Sequence, residues 1–333
     1  MYKYLYLWVL LLSFLIENIS IAQDVHWSQY NDNQLFQNPA NAGHFDGDYR
    51  FIGNYRDQWR SVTLPYNTIA FSIDSKYKNF GFGLSMFNDQ AGDGRFRTIE
   101  IQGNVSYAIQ LDTDSTHVIR SGINFGMNHR QINWDALYFD TQYTGYVFNP
   151  NTPTFENYQN VRKTNASLGI GFIYEWRKND RFKMILGTSA FNLNRPNQGF
   201  YDLEIKRAVR SNSFVKATFK LNEKWDLIPS AQYSVQDVYK EFLIGTSGKY
   251  YLNHPKKKYA AIYGGLWYRN KDAAYISFGY DFADLFVGIS YDINFSKLSP
   301  ASHARGGIEF AVRYIIKKFK PKRILHRVCP DFI

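Results

Sequence analysis

Residues 285 to 295 alternate strictly between two kinds of side chain, and this alternation constrains the fold more than any other feature. The odd positions hold Leu285, Val287, Ile289, Tyr291, Ile293 and Phe295. The even positions hold Phe286, Gly288, Ser290, Asp292 and Asn294. Because side chains of a β-strand alternate between faces with a period of two, the pattern predicts a strand with one apolar face and one mostly small or polar face.

Similar runs recur along the chain from Tyr49 onward and predict about fourteen strands. They lie near residues 49–57, 66–76, 80–88, 96–109, 116–128, 165–177, 182–193, 210–221, 225–236, 240–251, 258–269, 271–281, 284–294 and 305–316. Several reach the length of about 9 to 11 residues that a tilted strand needs to cross a bilayer. So many long strands in series favour an all-β, single antiparallel transmembrane β-barrel over a soluble sandwich.

The connections between these runs give an independent indication. In a membrane barrel, periplasmic turns are short and external loops are longer. If both ends of the barrel lie in the periplasm, the two longest connections, 129–164 and 194–209, are both external. The connections 178–181, 222–224 and 282–283 are brief and periplasmic.

The composition fits a barrel with aromatic belts at its two interfaces. The chain has 26 Tyr and 27 Phe, yet its mean hydropathy is −0.40, and no internal run is apolar enough to span a bilayer as a helix. Trp176, Trp225, Trp267 and Tyr291 lie near predicted strand ends and are the expected belt residues. The alternative is that the aromatic residues fill a soluble core.

The first 22 residues have the pattern of a signal peptide. Lys3 provides a positive charge, residues 5–16 are nearly all apolar, and Ser20 and Ala22 suit positions −3 and −1 of a cleavage site. The expected organisation is therefore a signal peptide at 1–22, an ordered N-terminal segment at 23–47 that is periplasmic or plug-like, a barrel at 48–316 and a basic periplasmic tail at 317–333. Cys329 is the single cysteine, so no intramolecular disulfide forms.

The net charge of +10 suggests anionic partners. For an exported chain, lipid headgroups or an acidic protein are favoured over nucleic acid. The tail concentrates this charge and is either a docking segment for a periplasmic or peptidoglycan-associated protein or a solvated tail that touches headgroups. Its candidate docking residues are Lys317, Lys318, Lys320, Lys322 and Arg323.

Signatures of enzymes and of metal or cofactor sites are not found in the sequence. G-x-S-x-G, H-E-x-x-H, P-loop and paired C-x-x-C motifs do not occur, and no two of the seven histidines have metal-ligand spacing. Asp89 and Asp93 lie in an acidic run with Gly92 and Gly94, which reads as an external turn and lacks the terminal Glu of a calcium loop. We therefore expect no enzyme activity, no cofactor and no metal.

Several short motifs, in order, resemble the PorP/SprF family of outer-membrane proteins. They begin with Ser28-Gln29-Tyr30 and Asn38-Pro39-Ala40-Asn41-Ala42-Gly43. Tyr55-Arg56-Asp57-Gln58-Trp59, Phe71-Ser72-Ile73-Asp74, Gly81-Phe82-Gly83-Leu84 and Asn88-Asp89 follow. The resemblance marks Asn38, Pro39, Ala40, Gly43, Arg56, Gln58 and Trp59 as candidate partner-binding or structural residues.

This resemblance implies a role in type IX secretion or gliding motility. In this role the barrel anchors a secreted cargo protein or adhesin by binding the C-terminal domain of that secreted protein. The loops 129–164 and 194–209 would then face the secreted partner. The alternative is a diffusion channel or small-solute transporter. Phe286, Gly288, Gly169 and Gly171 on predicted inward faces leave little charge for a wide aqueous pore, which favours the anchor with a blocked lumen.

Overall fold

The computed structural model describes residues 24–317, apart from residues 59, 61–64, 93, 146, 156–160, 201–203, 253–258 and 297–304. The predicted signal peptide lies outside the described residues. So does the tail after Lys317.

The described chain forms one closed antiparallel barrel of fourteen strands, as the alternation predicts. Two further strands, β6 Tyr143–Thr144 and β7 Val147–Phe148, form a small hairpin in the longest connection, and the sequence pattern did not reveal them. The barrel strands are β1 Tyr49–Gln58, β2 Tyr66–Tyr77, β3 Phe80–Ala91, β4 Phe96–Gln110, β5 His117–Gln131, β8 Arg162–Asn179, β9 Phe182–Phe191, β10 Arg210–Lys220, β11 Trp225–Gln236, β12 Tyr239–Tyr251, β13 Ala260–Arg269, β14 Ala273–Phe282, β15 Leu285–Asn294 and β16 Arg305–Ile316.

Closure joins β1 to β16, with Tyr49 opposite Ile316. Because closure pairs the backbone groups of the first and last strands, no strand edge is left to face lipid.

With an even strand number, Tyr49 and Ile316 lie at the same end of the barrel, which we call the terminal end. The opposite end, the loop end, carries the connections 132–161 and 192–209. The sorting of loops by length has exceptions, since the connection 252–259 lies at the terminal end and the two-residue turn 237–238 at the loop end.

The two faces of the strands separate as the alternation predicts. In β15, Leu285, Val287 and Ile289 point outward and are exposed, whereas Ser290 and Asp292 point inward and are buried. The same separation holds along β4 and β16. The outer surface is therefore apolar and the inner surface polar, as in a membrane barrel.

Two expectations about side-chain placement are wrong. Trp267 does not belong to an interface belt, because it points into the lumen, where its ring packs edge-on against Tyr30 at 5.8 Å. The inner wall is also far from poor in charge, and its buried ionisable residues include Arg50, Arg56, Asp74, Glu100, Glu175, Arg269, Asp292 and Glu309.

Residues 24–48 lie inside the lumen, and we call this segment the plug. It contains the 3-10 turns Tyr30–Asp32 and Pro39–Asn41 and the α-helix Gln34–Gln37. The plug runs the length of the barrel, because Asp24 contacts Gln236 at the loop end and Asp46 contacts Lys317 at the terminal end. Two further 3-10 turns, Trp134–Ala136 and Asp140–Gln142, lie in the connection 132–161.

Candidate functional site

The plug is fixed at the loop end by a buried latch between its first described residue and the connection 192–209. The Asp24 carboxylate pairs with Arg207 of the connection 192–209 at 2.8 Å, and Arg207 also pairs with Glu100 of β4 at 2.8 Å. Asn192 and Gln236 add hydrogen bonds to Asp24. Although burial acts to raise the pKa of Asp24, the guanidinium of Arg207 holds it below its usual value. Arg207 thus joins the connection 192–209 to the plug through Asp24 and to the wall through Glu100.

Deeper in the lumen, Ser28 and Gln29 are held by two carboxylates of the last strands. The backbone N–H groups of Ser28 and Gln29 donate to Glu309 at 2.8 and 2.9 Å, and the Ser28 hydroxyl donates to Asp292 at 2.9 Å. Arg56 of β1 pairs with Glu309 at 2.9 Å and with Asp292 at 3.2 Å. These contacts join the plug to both sides of the seam between the first and last strands.

Arg269 and Tyr275 complete this group, which we call the seam cluster. It consists of Ser28, Gln29, Arg56, Arg269, Tyr275, Asp292 and Glu309. Arg269 pairs with Asp292 at 3.2 Å and donates to the Ser28 hydroxyl at 2.6 Å, and the Tyr275 hydroxyl donates to the Ser28 carbonyl at 2.6 Å. Because the members are buried, a missing partner would leave an uncompensated charge, at a cost of about 3–5 kcal/mol. The cluster therefore fixes the position of Ser28.

At mid-barrel the plug touches the wall backbone directly. The Asn38 amide donates to the carbonyls of Phe172 and Thr188 at 3.1 and 2.9 Å, and its oxygen accepts from the Ala40 N–H. A Cβ added at Gly171 would lie 2.0 Å from the Asn38 oxygen, and one at Gly122 would lie 2.4 Å from the Ala40 nitrogen. Glycine at these wall positions lets the Asn38-Pro39-Ala40 turn approach the sheet.

Below this level, Gly43 turns the plug toward the terminal end. Its φ of +67° lies in the left-handed region, and its N–H donates to Asp74 at 2.7 Å. Arg50 binds the same carboxylate through two hydrogen bonds of 2.8 and 2.7 Å. A side chain at position 43 would be strained whatever space it had, so glycine is required here.

His44 and Asp46 fix the plug near the terminal end. His44 Nε2 lies 2.6 Å from Glu175, which also binds Lys183 at 2.8 Å. Burial lowers the pKa of His44 to about 4, against the opposing effect of Glu175. His44 is therefore neutral near pH 7 and donates to the Glu175 carboxylate. Asp46 pairs with Lys317 at 2.8 Å in a more exposed position.

The structure brings most of the sequence-predicted residues together around the plug. Asn38, Pro39, Ala40 and Gly43 line its wall contacts, and the Gln58 amide lies against the Arg56 guanidinium in the seam cluster. Lys317 lies at the terminal end, apart from this cluster. Trp59, Lys318, Lys320, Lys322 and Arg323 lie outside the described residues.

Sequence reasoning missed the wall partners of the plug. These are Arg50, Asp74, Glu100, Glu175, Arg207, Arg269, Asp292 and Glu309. One signal was present, because an ionisable residue on the lumenal face of a predicted membrane strand is expected to have a partner there. Within the part of the chain that is described, no three His, Cys, Asp or Glu residues are grouped to hold a metal. No described helix is long and apolar enough to cross a membrane.

The fold of this chain is similar to that of several solved structures. A Pseudomonas aeruginosa FadL homologue is 12% identical, with a TM-score of 0.50, over 85% of this chain and 94% of that one. The Ralstonia pickettii toluene transporter TbuX is 10% identical, with a TM-score of 0.51, over 85% and 92%. The Pseudomonas putida toluene transporter TodX is 9% identical, with a TM-score of 0.50, over 88% and 95%. At these identities the likeness concerns the fold alone.

The fold and its apolar outer surface define an outer-membrane β-barrel. The sequence profile described as "Type IX secretion system membrane protein PorP/SprF" matches residues 19–314. The chain belongs to this family. No curated protein matches the sequence. Because external loops of membrane barrels are longer than periplasmic turns, we infer that the terminal end is the periplasmic end and the loop end the extracellular one.

Proposed function

We propose that this protein is a non-enzymatic anchor that holds a large secreted protein of the type IX pathway, such as an adhesin, at the cell surface through the C-terminal domain of that protein. Membership of the family supports interaction with cargo and with components of the secretion system. The plug supports the anchor, because hydrogen bonds and ion pairs join it to the wall from the loop end to the terminal end.

One observation carries the proposal: the connection 132–161 exposes aromatic and apolar side chains to water. The exposed fractions are 70% for Tyr138, 50% for Tyr143, 67% for Val147 and 85% for Phe155. These residues lie beyond the ends of the barrel strands, so lipid does not cover them. Exposed aromatic groups in a loop are typical of a protein-binding surface.

Ring contacts within the connection 132–161 hold its exposed tyrosines in place. Phe148 packs against Tyr138 at 4.9 Å and against Tyr143 at 5.4 Å, so the two tyrosines are held by a neighbouring ring. Rigid aromatic anchors bind with a small loss of conformational entropy. The second loop, 192–209, adds Ile205, which is 54% exposed.

Affinity purification from the native outer membrane tests the proposal. The wild-type protein should recover one large secreted protein. A variant with Tyr138→Ser, Tyr143→Ser and Phe155→Ser should lose it, whereas Val238→Ser, at an exposed apolar position of the turn 237–238, should retain it. Recovery of the barrel alone, together with single-channel currents in planar bilayers, would contradict the anchor.

A small-solute channel is the second candidate. Two chambers favour it, one of about 310 Å³ beside Asp24 toward the loop end and one of about 370 Å³ beside His44 toward the terminal end. The plug lies between them, so a solute could pass only if the plug moved. We therefore expect no currents from the wild-type protein while the plug is docked.

A further inference from the structure

A chamber of about 370 Å³ lies inside the barrel, between the plug and the periplasmic opening. Its wall comes from plug residues between Asn31 and Asp46 and from strands β2, β5, β8, β9 and β10. The volume lies within the range of small-molecule sites, about 300–1,000 Å³. The side chains that hold the plug leave this space empty.

The chamber carries an excess of positive charge. Its lining contains five cationic residues, Lys76, Arg120, Arg177, Lys183 and Lys216, and two acidic residues, Asp46 and Glu175. Glu175 is already bound by His44, Lys183 and Arg177, at 2.6, 2.8 and 3.2 Å. Asp46 is paired with Lys317. Both acidic groups thus already have ion-pair partners, and the five cations of the lining outnumber them.

Two of the cations have no partner of their own. Among the residues that the structure describes, the side chains of Arg120 and Lys216 form no ion pair and no hydrogen bond, and the Arg120 Nε atom is buried without an acceptor. Both side chains project inward, from β5 and β10. An unpaired cation in a semi-enclosed space is unfavourable unless an anion joins it.

We propose that this chamber binds a phosphate group. A guanidinium fork with ammonium groups around it matches the several oxygens and the double charge of phosphate better than it matches a single carboxylate. The chamber is accessible from the periplasm, because Arg177 and Asp46 at its rim have side chains that are 55% and 92% exposed. The phosphate could belong to a soluble metabolite or to a lipid headgroup of the inner leaflet.

The test is calorimetric titration of the full-length protein in detergent, at low ionic strength, with pyrophosphate as the soluble probe. A second arm uses vesicles with and without phosphatidylglycerol. We expect saturable binding of one of these probes, weakened at least tenfold in the double variant Arg120→Gln/Lys216→Gln. The variant removes no hydrogen bond or ion pair of the plug, and its heat-modifiable mobility on gels checks that it folds.

The matched control is Lys178→Gln/Lys224→Gln, which removes two charges at the same end but outside the chamber. It should bind like the wild type. Binding of pyrophosphate would identify a soluble metabolite as the source of the phosphate, and binding that requires phosphatidylglycerol would identify a lipid headgroup. Failure of both probes to bind the wild type, or equal binding by the chamber variant and the wild type, would overturn the proposal. Neither result depends on whether a secreted protein binds the outer loops.

Discussion

Asp24 and Arg207 are 183 positions apart in the chain, yet their side chains form an ion pair of 2.8 Å at the loop end. Arg207 belongs to the connection 192–209 and Asp24 to the plug, so a contact that displaces this connection would also release the start of the plug. The pair links the connection that carries Ile205 to the plug in the lumen.

Substitution at the latch should destabilise the docked plug unequally. Asp24→Asn leaves Arg207 paired with Glu100 and should cost about 1.5–3 kcal/mol, the value of a charged hydrogen bond. Arg207→Gln removes the ion-pair partner of two carboxylates, Asp24 and Glu100, and should cost about 3–5 kcal/mol. Urea unfolding in lipid vesicles measures both. Lys206→Gln, which loses only the exposed pair with Glu204, should change stability by no more than about 1 kcal/mol. Equal effects of all three variants would contradict the latch.

Arg56→Met should remove the cation shared by Asp292 and Glu309 and lower the free energy of unfolding by about 3–5 kcal/mol. The matched control is Arg95→Met, since Arg95 is exposed at the loop end and forms no ion pair with any described residue. The melting temperature in detergent compares the two. If the variants melt together, the seam cluster does not hold the plug.

Gly171→Ala should displace the plug at mid-barrel, because the new Cβ would lie 2.0 Å from Asn38 Oδ1 and 2.8 Å from Pro39 Cδ. Overpacking of this kind costs about 1–3 kcal/mol. We expect faster hydrogen exchange of residues 38–43, measured by mass spectrometry. A Cβ at Gly264 meets nothing within 4 Å, so exchange in Gly264→Ala should match the wild type.

Docking of the plug should weaken in acid through His44. The folded pKa is about 4 and the ordinary value is 6.5, so between these values the undocked segment binds a proton that the docked one does not. The stabilisation is complete above pH 6.5 and is lost as the pH falls through 4. Protection of residues 41–46 from exchange, compared at pH 7.5 and 4.5, reports the effect. His44→Gln keeps a hydrogen-bond donor and should flatten the pH dependence. An unchanged slope would rule out His44 as its source.

Ile289→Lys should place a charge on the lipid face near the middle of β15 and cost about 2–4 kcal/mol. Leu285→Lys, at the terminal end of the same strand, should cost about 1 kcal/mol or less. Folding yields into vesicles distinguish the two. Insertion of Ile289→Lys as efficient as that of the wild type would mean that this face does not contact lipid.

The strands were predictable because their signal is local. Each alternating run reports its own two faces, so the orientation of Ile289 and Asp292 follows from neighbouring residues alone. Trp267 lies near a strand end, which suggested a belt position, but the alternation of β13 puts Leu266 and Tyr268 outward and Trp267 inward. Its contact with Tyr30, which is distant in sequence, could not be predicted.

The seam cluster could not be predicted for a related reason. Its members come from the plug and from the first and last strands, and Ser28 and Glu309 are 281 positions apart. No short-range pattern links them. The sequence does show Asp292 and Glu309 on inward faces, but not that a plug segment supplies their partners.

The seam cluster also bears on how the chain folds. Glu309 accepts hydrogen bonds from the N–H groups of Ser28 and Gln29 and pairs with Arg56, so the final strand recognises both the plug and the first strand through one carboxylate. Contacts of such long range form late and slowly, because they require closure of nearly the whole chain. Barrel closure and plug docking are thus expected to occur as a single cooperative step. In that step the plug binds both end strands and so promotes their pairing.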